Sequence, residues 1–501
     1  MRSRERVLDQ QDGFVGGLNT VADESQVQPN QVRTATNVRG TEQGGAKKRA
    51  GTRRLHTSPL GGGQPVRGGY GWQQTLGSTE VVVCNGTLFS GAAAYAMVWT
   101  NHGGTLDANA YPSFASFRDA SADVVYVADG GLLNKFDGTT LSEDIASTPS
   151  TAFVTVHNRR LFGVSGTDDI VSWSQLDDGD TLGIAASGGG QAVVRTFGDQ
   201  AIKSLASFRS SLYLFHVSGI SRFTGWSQDD INIQAGTQGV TGDVGTIAPR
   251  SVVVLENGVL FVSDRGVYIC SDEGVAPVSV PVDVEFSNLS ASEMQQLHTA
   301  HRRSAREVWF FVPGSGIFVL NYRTGAWFGP WTGGFTDSVT LANAMWETSD
   351  GDGRPIVLVG GNAGYVKRAD VGSLDDVEAD GTGGNAYSMS LKLHRMFCGS
   401  IASEKAFRWA YLLANTDSSS DCVVSWLTQT GTGSYSLAAT VAWGGGTWGS
   451  GGTWGGEGVV PFRIPIDGRG GYIDMTITDS GERIPLFSRL EVEAFNMGRR
   501  G

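Results

Sequence analysis

Val308-Trp309-Phe310-Phe311-Val312-Pro313-Gly314-Ser315-Gly316-Ile317-Phe318-Val319-Leu320 consists of two unbroken apolar runs separated by a Pro-Gly-Ser-Gly turn. Each run is too short for a helix, is rich in β-branched and aromatic residues, and ends at turn formers, which is the pattern of a β-hairpin. The apolar residues do not alternate with polar ones, so both faces of these strands must be buried. A single hairpin cannot bury both of its own faces. The stretch therefore requires a neighbour on each side.

Six further stretches have the same form: Val81 to Phe89 around Asn85-Gly86, Val124 to Phe136 around Gly130-Gly131, Leu161 to Trp173 around Gly166 to Asp169, Leu212 to Phe223 around Gly219, Val259 to Ile269 around Arg265-Gly266, and Ile356 to Val366 around Gly360 to Gly364. The seven hairpins begin roughly 37 to 51 residues apart. That is the period of a four-stranded propeller blade, with two strands visible and two lying in the less patterned intervals. The expectation is an all-β chain built on a β-propeller of six to seven blades over residues 61–370. Ser290 to Arg303 is the best helical stretch, with Ser292 and Glu293 as a start and Met294, Leu297 and Ala300 on one face.

Composition agrees with this class. Seventy-one glycines, 10% aromatic and only 18% charged residues among 501 suit many tight turns and flat packed strands. The net charge of −12 argues against a protein that grips nucleic acid by neutralising phosphates, although an acidic surface can face DNA that slides. Cys84, Cys270, Cys398 and Cys422 stand far apart without metal-site spacing and read as buried free thiols. Met1 to Gln11 is charged and lacks the apolar core of a secretory signal. No apolar run approaches the roughly 18 residues of a membrane span, so no span is expected.

Around the repeats lie three other regions. Residues 1–60 are polar and Gly-rich and read as an extended N-terminal arm, in which Pro29 to Val38 is a weak candidate for one or two helical turns. Residues 371–384, with Asp375, Asp376, Glu378 and Asp380, read as an acidic Gly-rich linker. Residues 385–501 return to short alternating segments and suggest a β-sandwich or jelly roll.

Catalytic and metal signals are weak. Asp177, Asp178, Asp180, Asp229 and Asp230 could crowd a channel mouth as acid and base, but acidic turns are ordinary. His298 and His301 have helical spacing without a carboxylate partner. Asp350-Gly351-Asp352-Gly353 resembles a calcium loop with too few ligands and reads better as a turn. No catalytic residue, metal or cofactor is expected. The candidate interface residues are the basic cluster Lys47, Lys48, Arg49, Arg53 and Arg54, placed on a subunit contact or a solvated arm, together with Trp443, Trp448 and Trp454 in a Gly-rich loop. The tryptophans suit either a subunit or packing contact or a platform for sugars.

Several motifs carry a resemblance. Gly16, Gly17, Leu18 and Asn19, then Pro29, Gln31, Ala35, Asn37 and Val38, then Gly44, Gly45, Lys48, Arg49, Ala50 and Gly51 are similar to the N-terminal segment of phage tail proteins of the nozzle and hub type. Asn321, Tyr322, Thr324, Gly325, Ala326 and Trp327 resemble a blade turn of that group, and Ser480, Gly481 and Arg483 fit its C-terminal domain. The resemblance implies a virion protein, made in the bacterial host cytoplasm, whose copies form a ring, commonly of six. That ring docks on portal and adaptor proteins, carries fibres or spikes, and passes DNA only as cargo. Alternatives are a tail-tip adaptor for receptors or fibres, and a glycan-binding or glycosidase propeller.

Overall fold

The computed structural model describes residues 6–74, 77–119, 122–194, 200–224, 232–235, 240, 242–336, 341–415, 421–437, 460–482 and 484–498. The chain is all-β and made of many small antiparallel sheets. Each of the seven hairpins forms the two middle strands of a four-stranded arrangement, in simple meander order in the first six. In the sixth, His298–Arg302, Glu307–Val312, Gly316–Asn321 and Ala326–Trp331 follow one another, with Trp309 opposite Val319 and Phe310 opposite Phe318.

Strand alternation explains the continuous apolar runs. Successive side chains point to opposite faces, so each run serves two neighbours. Val308, Phe310 and Val312 pack with Leu260 and Val262 of the fifth sheet, whereas Trp309 and Phe311 pack with Val357 and Val359 of the seventh. Leu212 and Leu214 meet Phe162 and Val164 of the third sheet, while Tyr213 and Phe215 meet Val259 and Phe261 of the fifth. The series returns on itself, since Ile356 and Leu358 of the seventh sheet share a cluster with Val82 and Cys84 of the first. The seven sheets thus form a closed circuit.

The seventh sheet obtains its fourth strand from the start of the chain. Thr52–Arg54 pairs antiparallel with Val366–Ala369, setting Arg53 opposite Arg368. Residues 6–54 are therefore not an extended arm. Arg6–Gln11 pairs along Leu486–Gly498, Ala46–Lys48 pairs with its other end, and Gln31–Thr36 lies between Ala326–Trp331 and Met389–Leu393. Pro29 to Val38 accordingly contributes a strand, not helical turns: Val32, Ala35 and Val38 are buried.

The C-terminal strands form two facing sheets. Leu391, Val424, Met475 and Ile477 from one and Ala410, Leu412, Ile464 and Val492 from the other share a core. One hydrogen-bonded sheet runs from the sixth member of the circuit through Gln31–Thr36 into this unit. The helical expectation after Ser290 holds only for Ala291–Gln296. Its cap is Ser290, in a capping box with Glu293, and His298 to Arg302 is already strand.

Candidate functional site: a buried ionic junction and a central cavity

The basic cluster lies where the chain start, residues 371–384 and the C-terminal unit meet. The guanidinium of Arg49 is fully buried and makes a forked pair with Asp375, at 2.8 and 2.5 Å. Its Nε donates to Asn37 Oδ1 at 2.9 Å, a second terminal nitrogen donates to the Thr332 carbonyl at 2.7 Å, and the group stacks 3.9 Å above the Tyr387 ring. Such a fork meets a planar carboxylate at both oxygens, which suits Arg and not Lys. Lys48 is also fully buried, with Nζ 3.0 Å from Asp479 and donating to the Gly481 carbonyl. Burial raises the Asp479 carboxyl above the ordinary carboxylate range even with Lys48 beside it.

Arg54 donates to Asp376 and Glu378, and Lys367 lies 2.8 Å from Asp376. The hydrogen bond that Arg54 donates to Asp376 raises the Arg54 pKa. Arg53 donates to the Ala379 carbonyl and stacks on Tyr95 at 3.9 Å. Lys47 is half-buried, and burial lowers its pKa. The expected interface cluster is thus largely an internal lock, because its partners are the acidic residues expected to form a linker. Asp375 and Asp376 are buried, and the backbone of this segment bonds along Thr52–Arg54. Gly51 has no room for a Cβ beside the Leu374 carbonyl, and Gly17, at φ +66°, packs closely on the Trp327 backbone. Trp331 Nε1 donates to the Val38 carbonyl at 2.8 Å.

A second feature lies at the centre of the circuit, a cavity of about 230 Å³ to which every sheet contributes. Arg67, Tyr111 and Phe153 come from the first three sheets or the turns leading into them; Ser204, His298 and Ala344 come from the fourth, sixth and seventh, and Arg250 from the turn leading into the fifth. The guanidinium carbons of Arg67 and Arg250 lie 5.0 and 4.1 Å from the centre of the Tyr111 ring. Arg250 donates to the Asn343 carbonyl at 2.7 Å, and burial pushes its pKa down to about 10. His298 Nδ1 lies 2.9 Å from the Gln296 carbonyl, and burial lowers the ring's pKa well below its ordinary value. This cluster is not visible in the sequence. The only available signal is phase, each residue standing at or just before a first strand.

The other expected sites are dispersed. Asp177 pairs with Arg159; Asp180 accepts from Tyr126 at 2.7 Å and from Lys135 at 2.9 Å. His298 and His301 lie on one strand at odd spacing, which sends them to opposite faces, against Phe311 and Tyr322 respectively. Asp350 accepts from the backbone of Asp352 and Arg354 and closes a turn. The four cysteines are free and buried, their thiols pushed up to about 12 by desolvation. Trp443, Trp448, Trp454, Asp229, Asp230 and Arg483 lie outside the described residues. Among the described residues no group of His, Cys, Asp and Glu could hold a metal, and no helix is long and apolar enough to cross a membrane.

These features define an all-β chain in which residues 6–54 are woven into both of its parts. No family model and no curated protein matches it. Among solved structures it is similar to the extracellular domain of the putative hybrid two-component system BT3049 from B. thetaiotaomicron, at 12% identity and a TM-score of 0.40, over 62% of this chain. The match spans 40% of that structure's length, and a likeness at this level carries no argument about function.

Proposed function

We propose that the chain is a structural virion protein of a phage tail, of the nozzle or hub type, and not an enzyme. In this reading the circuit of sheets is a seven-bladed β-propeller, and the paired C-terminal sheets are a β-sandwich. Copies assemble into a ring, six being the expected number, below the portal and adaptor proteins of the neck. The ring carries fibres or spikes and encloses the channel through which DNA leaves.

One observation supports this best. The residues that resemble tail proteins are the ones that join the two parts: Gly17 on Trp327, Asn37 and Arg49 at Asp375, and Gly51 against Leu374. A shared hydrogen-bonded sheet and buried ion pairs give a stiff body, which suits a conduit under load. The net charge of −12 favours sliding over capture of DNA.

Native mass spectrometry of the purified chain, alone and with the phage's neck ring, tests the reading. Ring-sized assemblies formed on the neck ring are expected. A chain that ignores the neck ring and binds glycans instead would favour the sugar-binding alternative.

A further inference from the structure

The central cavity has an unusual balance of charge. Two arginines line it, and none of its lining residues is an Asp or Glu. Arg67 makes no hydrogen bond or ion pair among the described residues, and its Nε is buried without a partner. Among the described residues Arg250 is held by carbonyl oxygens and by the face of Tyr111. Both cations lie near one ring and repel each other, and Arg67 adds to the desolvation that lowers the pKa of Arg250. His298 is 3% exposed, and its Nε2 has no hydrogen-bond partner among the described residues. By contrast, Arg49 is matched with Asp375, and Arg39 with Glu307 and Asp370. A confined pair of cations without a counter-charge is costly unless an anion joins it.

We propose that the central cavity is a binding site for a small dianionic oxyanion of the phosphate class, held between Arg67 and Arg250. Two guanidinium groups match two negative charges, and their forked donors suit the oxygens of a phosphate. A volume of about 230 Å³ admits such an anion with several waters, each water occupying about 30 Å³ in the liquid. Tyr111 fixes the guanidinium planes by stacking, so the site is preorganised.

Calorimetric titration of the full chain with inorganic phosphate, and separately with acetate, tests this. One saturable phosphate site is expected, with acetate at least about tenfold weaker. Arg67→Gln should weaken phosphate at least about tenfold without lowering the melting temperature in phosphate-free buffer, because it removes one of two cations that repel each other. Arg250→Lys, which keeps the charge but loses the fork, should fall between the two. Absence of saturable phosphate binding, or equal binding by Arg67→Gln, would overturn the proposal. Acetate binding as tightly as phosphate would overturn the dianion assignment.

Discussion

At the scale of single residues, two buried charges carry distinct predictions. Removing Asp375 leaves the fully buried Arg49 without its counter-ion, so Asp375→Ala should destabilise the protein by about 3–5 kcal/mol in chemical denaturation. A loss below about 1 kcal/mol would mean that the pair is not the lock described. Glu80 lies at the seam between the first and seventh sheets, where its carboxyl accepts from Trp346 Nε1 at 2.8 Å and from the Thr348 hydroxyl. Burial pushes it up to about 7. The folded protein therefore keeps this proton over a range in which the unfolded chain, ionising near 4.5, has released it. Stability contributed by Glu80 is complete below about pH 4.5 and is lost as pH rises to about 7, a decline on the order of 3 kcal/mol. Glu80→Gln can keep both contacts without ionising, and melting curves across that window should show the decline removed.

At the scale of elements, the strand Thr52–Arg54 closes the circuit, and the strands before it complete both C-terminal sheets. A chain starting at residue 55 should lose cooperative unfolding and aggregate; a calorimetric transition at the parent temperature would show that the closure is dispensable. The middle hairpin of every sheet was legible because its apolar runs are continuous and its turns carry Gly, Asn or Asp. The fourth strands were not, since pieces such as Thr100–Asn101 are two residues long and exposed. The chain start was misread for a different reason. Gln31–Thr36 is mostly polar, and Lys48 and Arg49 look solvated until Asp479 and Asp375 arrive from hundreds of residues away. Local pattern carries no trace of such partners. The arginines of the central cavity were missed in the same way, each coming from a different sheet.

At the scale of the whole molecule, the circuit of sheets, the woven chain start and the acidic balance are consistent with a rigid component of a tail ring. Quantitative mass spectrometry of gradient-purified tailed particles from a lysate that contains this chain tests that proposal most directly. The account predicts that this chain is present in several copies per particle, in fixed ratio to the portal protein. Particles with a full complement of portal and capsid proteins but without this chain, while the lysate holds it in quantity, would contradict it.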